Sequence, residues 1–319
     1  MLKSYLRQNI TYYLISMRWH SSFLAAMAGW IGIAYQKPGV NDIPLILIIL
    51  AILFIGWGVN QVINDCLGQD EDRLNAPYRP IVTGKLSIKF AYWLNSLFFI
   101  VGLMITLRLN TCAAPLYILV FTLNLIYERA KSIPSFGNII FGLLISLCVY
   151  YAYLCLNKRG LIEIITNREL FIAVFLVAVI NAVLCFISDF KDYAGDMKSG
   201  IRTLVVILTP QKAQYLTPIF AGLPFAFLYY FIDSHLLPRP NLYFWITLLL
   251  ALLCLAYSCL VILKKKTEGH FRHAMKWGIA GAIIFELAIA CIFSPLISFC
   301  VLLAALPCLT ILLYLDKKF

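Results

Sequence analysis

Long apolar stretches separated by short polar segments run through most of the chain. A helix needs about 20 mainly apolar residues to cross the hydrocarbon core of a bilayer. Ten stretches approach or exceed that length, so the pattern predicts spans at residues 15–36, 43–67, 88–109, 112–128, 137–156, 170–190, 213–232, 241–263, 274–293 and 296–315. The composition agrees, because 62% of the residues are hydrophobic and only 13% are charged. The predicted fold class is all-α: a single integral membrane domain over residues 1–319, a polytopic transmembrane helical bundle with nine to ten spans around a central apolar cavity.

The positions of the basic residues predict how these helices are oriented. With the N-terminus on the cytoplasmic side, 20 of the 26 Lys and Arg residues fall in inner segments, as the positive-inside rule requires. Ten spans then place both termini on the cytoplasmic side. The formal net charge of +11 therefore indicates membrane orientation and a lipid bilayer as partner, and no nucleic-acid partner is expected.

Acidic residues are scarce, and seven of the 15 lie in two segments after the second and sixth predicted spans. These segments contain Asp65, Asp70, Glu71 and Asp72, and then Asp189, Asp192 and Asp196. If the preceding helices continue into them, Asp65 and Asp72 share one helix face, and so do the three acids of the second segment. We predict two Asp-rich loops that face each other on the cytoplasmic side.

Carboxylates in this arrangement predict a metal site for a phosphorylated substrate. Mg²⁺ is usually held by one or two carboxylates and by substrate phosphates, and its charge stabilises a pyrophosphate leaving group. An apolar bundle behind the site suits an isoprenoid tail. The predicted metal ligands are Asp65, Asp72, Asp189, Asp192 and Asp196, of which Asp72, Asp192 and Asp196 are the predicted catalytic residues. The predicted ligands of the diphosphate are Arg79, Lys131, Lys198 and Arg202, since Lys and Arg form charge-assisted hydrogen bonds with phosphate.

Two other interpretations fit the same residues. The acids could balance nearby bases in solvated loops, or they could belong to a cation transporter, although transporter sites usually lie near the middle of the membrane. Within the spans, Asn60 and Asn181 could line the cavity or bond to a neighbouring helix. The same alternatives hold for Glu286, because an acid at that depth is either functional or structural.

Both acidic segments carry motifs that resemble those of the UbiA superfamily of intramembrane prenyltransferases. The first motif is Asp72-Arg73-x-Asn75-x-Pro77-x-Arg79-Pro80, with Asn64 eight residues before Asp72. The second comprises Asp189, Asp192, Gly195-Asp196, Gly200 and Thr203-Leu204. Between them, Tyr127-x-x-x-Lys131 and Gly137-Asn138 resemble the segment that leads into the fifth helix of these enzymes.

The resemblance implies a Mg²⁺-dependent enzyme that transfers a prenyl group from an isoprenoid diphosphate to a hydrophobic acceptor. It adds Asn64 to the expected metal ligands, and Tyr127 and Asn138 to the residues that support the cavity. The first motif is also similar to that of a microbial natural-product branch that includes terpene cyclases. Cyclisation of farnesyl or geranylgeranyl diphosphate is therefore the alternative activity.

The chain departs from the family pattern in two places. The middle carboxylate of the first motif falls on Gly68, and Asp65 or Asp70 is the expected substitute. The family usually has nine spans, so the segment 296–315 is expected to be an additional C-terminal span.

Overall fold

A computed structural model describes residues 2–157, 160–264 and 267–315. Over these ranges the chain forms helices and no strand, which confirms the all-α class. The helices are α1 (Leu2–Ser16), α2 (Trp19–Tyr35), α3 (Ile43–Leu67), α4 (Gln69–Asn75), α5 (Ile88–Leu109), α6 (Ala114–Ala130), α7 (Phe136–Asn157), α8 (Leu161–Thr166), α9 (Arg168–Lys198), α10 (Leu204–Leu208), α11 (Pro210–Asp233), α12 (Leu242–Lys264), α13 (Glu268–Phe293) and α14 (Pro295–Leu315). Two 3₁₀ turns lie at Val40–Asp42 and Thr111–Ala113.

Nine helices in the described ranges are long and apolar enough to cross a membrane. They are α3, α5, α6, α7, α9, α11, α12, α13 and α14, which correspond to nine of the ten predicted spans. The first predicted span, 15–36, is wrong as one continuous helix. The chain leaves the helical conformation at Arg18, whose φ is 47°, and α2 then contains only 17 residues.

Helices α2, α7, α9 and α13 form the centre of the bundle and pack against one another. Most of their apolar side chains are buried, whereas α5, α11 and α14 expose many of theirs. Between α9 and α13, the fully buried Asn181 donates from Nδ2 to Glu286 Oε1 over 2.7 Å. Both residues therefore contact a neighbouring helix, which is the structural one of the two alternatives that the sequence leaves open.

The two acidic segments are helical, so the prediction of Asp-rich loops is wrong in its secondary structure. Helix α9 continues to Lys198 and contains Asp189, Asp192 and Asp196 in its last turns. The first segment is interrupted at Gly68, where α3 ends, and then forms the short helix α4. The backbone remains hydrogen-bonded there, since Gly68 N–H donates to Asn64 O over 2.8 Å and Asp72 N–H donates to Gly68 O over 3.0 Å. Helix α4 packs against the end of α9.

The predicted C-terminal span is confirmed as a helix. Helix α14 packs against α2, α12 and α13. At the other end of the chain, α1 exposes Tyr5, Leu6, Ile10 and Leu14 while Tyr13 is buried. This division into two faces is typical of a helix that lies at a membrane surface.

Candidate functional site

A polar pocket of about 190 Å³ lies at one end of the bundle, where α3, α4, α6, α9 and α13 meet. We call it the acidic pocket. Eight of the predicted site residues line it: Asn64, Asp72, Arg79, Tyr127, Lys131, Asp189, Asp192 and Asp196. The fold therefore brings together residues from both motifs and from the segment between them.

Helix α4 is held against α9 by one side-chain contact. Asn75 Nδ2 donates to Asp196 Oδ1 over 3.1 Å, and Asp196 is buried. Glycine at the neighbouring position allows this contact, because a Cβ at Gly195 would lie only 2.0 Å from Asn75 Oδ1 and would displace that side chain. The paired Gly195 and Asp196 of the second motif thus explain how the two acidic segments approach each other.

Arg79 joins two acids of the first segment. Its Nη1 lies 3.1 Å from Asp65 Oδ1 and also contacts Asp72 Oδ2. Burial raises the pKa of the Asp72 carboxyl, and the Arg79 charge opposes that rise without cancelling it. Burial alone would lower the pKa of the Arg79 guanidinium, but Asp65 and Asp72 raise it further above its usual value. Arg79 therefore remains charged beside these carboxylates.

Asp65 lies outside the lining of the acidic pocket. It is buried between two guanidinium groups, because Arg18 contacts it from the turn between α1 and α2. Arg18 also donates to Gln61 Oε1 over 2.8 Å. Asp65 thus differs in position from the other predicted metal ligands, which all line the pocket.

Asp189 and Asp192 of α9 each contact one polar side chain. Asn138 Nδ2 donates to Asp189 Oδ2 over 3.1 Å, which gives Asn138 a supporting position beside the pocket. Lys191 Nζ lies 2.5 Å from Asp192 Oδ2. Because α9 is helical throughout this segment, Asp189, Asp192 and Asp196 share one helix face, as their spacing in the sequence predicts.

Lys131 is held by two acids that sequence reasoning did not assign. Its Nζ lies 2.5 Å from Glu128 Oε2 and also contacts Glu71. Burial lowers the pKa of the Lys131 ammonium, but Glu128 and Glu71 more than reverse that effect, so the net shift is upward. Glu128 lies in the last turn of α6, three residues before Lys131, and this spacing was the available signal.

Two predicted diphosphate ligands are not brought to the acidic pocket. Lys198 and Arg202 are exposed at the end of α9 and in the segment after it, and neither lines the pocket. Arg18 and Lys191 line it instead. They were missed because Arg18 is far away in the sequence, and because Lys191 stands between two acids.

A second, apolar cavity of about 360 Å³ lies between α3, α5, α6 and α7. Its walls are mainly aliphatic and aromatic, and Asn60 is among the lining residues, as expected. Trp57 lines both this cavity and the acidic pocket. The indole Nε1–H of Trp57 is buried and has no hydrogen-bond acceptor in the described part of the chain. A polar head and an apolar tail could therefore occupy the two spaces on either side of one tryptophan.

The oxygen atoms that could bind a metal in the acidic pocket suit Mg²⁺. They are carboxylate and amide oxygens, the ligands that hard divalent cations prefer. The amide oxygen of Asn64 is buried and has no hydrogen-bond partner among the described residues. Across those same residues, no three Asp, Glu, His or Cys side chains converge closely enough to hold a metal ion. Arg79, Lys131 and Lys191 lie between the acids instead.

A helical bundle with a carboxylate-rich pocket at one end and an adjoining apolar cavity defines an integral membrane protein built for an amphiphilic anion. The UbiA prenyltransferase family model matches residues 23–280, and the chain belongs to this family. This confirms the resemblance and identifies the chain as a multi-pass membrane enzyme of the prenyltransferase type. Helix α14 lies beyond the matched range, and its role as an additional span stays a prediction.

Individual relatives agree with this assignment. The chain is 28% identical over 202 residues to the digeranylgeranylglyceryl phosphate synthase of Thermococcus gammatolerans, covering 63% of this chain and 70% of that protein. It is 26% identical over 263 residues to the protein of the same name from Saccharolobus solfataricus, covering 81% and 88%.

Solved structures share the fold. A UbiA homologue from Aeropyrum pernix matches with a TM-score of 0.70 at 19% identity, covering 85% of this chain and 96% of that chain. A UbiA homologue from Archaeoglobus fulgidus, bound to DMAPP and Mg²⁺, matches with a TM-score of 0.59 at 18% identity, covering 86% and 98%.

Proposed function

We propose that the chain transfers a prenyl group from an isoprenoid diphosphate to a hydrophobic acceptor in a Mg²⁺-dependent reaction. The observation that supports this most strongly is that Trp57 lines both the acidic pocket and the apolar cavity. The diphosphate would lie in the first space and the isoprenoid tail in the second. The bond between them would then lie beside the indole.

The acidic pocket contains the groups that the diphosphate requires. Asn64 and Asp72 from one side, and Asp189, Asp192 and Asp196 from the other, would hold Mg²⁺. The bound metal would neutralise the pyrophosphate as it leaves. Arg79 and Lys131 are charged and line the same pocket, so they would bind the remaining diphosphate oxygens.

The apolar cavity supplies the surroundings for the carbon skeleton. When the allylic C–O bond breaks, its electron pair leaves with pyrophosphate and a cation remains on the prenyl group. Aromatic faces stabilise such cations, and Trp57, Phe98, Phe99, Tyr117 and Tyr151 all line the cavity. The nucleophilic atom of the acceptor then bonds to C1 of the prenyl group and releases a proton.

The named relatives suggest which substrates should be tried first. Their name describes a product with two geranylgeranyl groups on glyceryl phosphate. This supports geranylgeranyl diphosphate as the donor and a singly prenylated glyceryl phosphate as the first hydrophobic acceptor to test. Cyclisation remains the predicted alternative, in which the donor's own double bond captures the cation.

Product analysis separates transfer from cyclisation. Purified protein would be incubated with geranylgeranyl diphosphate and Mg²⁺, with and without the singly prenylated acceptor, and the products would be separated by liquid chromatography with mass detection. We expect a doubly prenylated product that requires the acceptor. A cyclic hydrocarbon formed from the donor alone would contradict transfer and identify a cyclase.

A further inference from the structure

We propose that Glu128 supplies the metal-binding carboxylate that the chain lacks at Gly68, with Glu71 beside it. The proposal rests on the proposed function, because it concerns the Mg²⁺ that would accompany the diphosphate. It assigns the role of metal ligand to Glu128, a residue of α6 that belongs to neither acidic motif.

Two carboxylates from other positions lie close to Gly68. A Cβ built on Gly68 would lie 3.2 Å from Glu128 Oε2 and 3.7 Å from Glu71 Oε2. The space in which a side chain at position 68 would begin is therefore bordered by carboxylate oxygens of other residues. Gly68 and both glutamates line the acidic pocket together with Asp72. The site thus has a carboxylate at this place, although the sequence has none there.

The two substitutes that the sequence predicts lie elsewhere. Asp65 is buried against Arg18 and Arg79 and does not line the acidic pocket. The side chain of Asp70 is 92% exposed and pairs with Arg73 over 3.2 Å. The geometry therefore favours neither acid as the replacement for the missing carboxylate, because Asp65 lies outside the pocket lining and α4 turns Asp70 outward.

Two further observations indicate that Glu128 and Glu71 face a cation site. The Lys131 ammonium contacts both carboxylates, so a positive charge already occupies the space between them. The Asn64 amide oxygen lines the same pocket and is buried with no hydrogen-bond donor in the described ranges. A metal held by Glu128 and Glu71 would leave the Lys131 ammonium available for the diphosphate.

A simpler role for Glu128 would be to position Lys131 without contacting metal. The two roles differ in what the removal of each side chain does to metal affinity. If Glu128 is a ligand, removal of the Lys131 charge leaves Mn²⁺ affinity unchanged or raises it, because a competing cation is gone. If Glu128 only positions Lys131 for the diphosphate, both removals lower the Mn²⁺ affinity when pyrophosphate is present, and neither lowers it without pyrophosphate.

The test measures Mn²⁺ binding by electron paramagnetic resonance, with the full-length protein in detergent and inorganic pyrophosphate as the diphosphate probe. We expect E128Q and E128A to weaken Mn²⁺ binding at least about 10-fold both with and without pyrophosphate, since even outer-sphere partners of a metal change affinity by about 10–100-fold. The matched control D70N removes an exposed acid from the same cluster and should leave binding within about twofold of wild type. K131Q in the absence of pyrophosphate should bind Mn²⁺ at least as tightly as wild type.

A rescue variant makes the test more specific. In G68D/E128A, the new Asp enters the space that the shortened residue 128 vacates, and we expect most of the Mn²⁺ affinity to return. Wild-type Mn²⁺ affinity in E128Q without pyrophosphate, or an equal loss in E128Q and K131Q that appears only with pyrophosphate, would overturn the proposal whether or not the double variant folds. If wild-type protein binds no Mn²⁺ with pyrophosphate, the proposed function itself fails, which is a different result.

Discussion

At the residue scale, burial and the charge of Arg79 shift the pKa of the Asp72 carboxyl in opposite directions. Asp72 is one of the expected metal ligands, and burial raises the pKa of its carboxyl while Arg79 partly opposes that rise. A carboxyl must lose its proton to bind Mg²⁺. Metal binding through Asp72 should therefore weaken as the pH falls through this raised pKa, at a higher pH than for an ordinary aspartate.

Replacing Arg79 with Gln should raise the pH below which metal binding weakens. Without the opposing charge, the pKa of Asp72 rises further, so its protonated form persists to higher pH. The pH at which half of the Mn²⁺ binding is lost should then be higher in R79Q than in wild type, as titration at several pH values would measure. R73Q is the control, since Arg73 pairs with the exposed Asp70, and it should not shift the midpoint. A midpoint that is unchanged in R79Q would contradict this electrostatic account.

At the scale of elements, the site depends on the close approach of α4 to α9. A side chain at Gly195 would displace Asn75, because its Cβ would lie 2.0 Å from Asn75 Oδ1. The Asn75–Asp196 hydrogen bond crosses this contact. The positions of Asp72 and Asp196 relative to each other thus depend on the absence of one methyl group.

Gly195→Ala should separate α4 from α9 and reduce both stability and activity. Overpacking of a close contact costs about 1–3 kcal/mol, and a small displacement of a ligand set can cost about 100-fold in rate. Thermal unfolding in detergent and kcat/KM for geranylgeranyl diphosphate would measure the two effects. Gly222→Ala in α11 is the matched control, because nothing lies within 4 Å of a Cβ at that position. Equal behaviour of the two variants would mean that the α4–α9 contact does not matter.

The elements differ in how far the sequence alone could predict them. Apolar length is a local property, so nine of the ten spans follow from it. The break at Arg18 depends on a left-handed backbone and on ion pairing with Asp65, and neither is visible as a break in hydrophobicity. Glu128 reaches Gly68 only because α6 packs against α3. A contact between residues 60 positions apart is set by packing, which a linear pattern does not contain.

At the scale of the whole molecule, the fold separates two environments that one substrate needs together. The acidic pocket gathers the charged residues at one end of the bundle, and the apolar cavity lies behind Trp57 among α3, α5, α6 and α7. Electrostatic interactions are stronger where water is excluded. The arrangement thus concentrates charge at the diphosphate and keeps the prenyl group in apolar surroundings. The orientation of the termini, both predicted on the cytoplasmic side, stays a prediction.

The most direct test of this account measures pyrophosphate release from geranylgeranyl diphosphate, with Mg²⁺ and acceptor, by wild type, D72N, D196N and D70N. If the acidic pocket ionises the diphosphate, D72N and D196N should each lose at least about 100-fold in kcat/KM, because each removes several kcal/mol of metal-dependent stabilisation. D70N, whose residue is exposed and lies outside the pocket lining, should stay within about twofold of wild type. Full activity in both D72N and D196N would contradict the account.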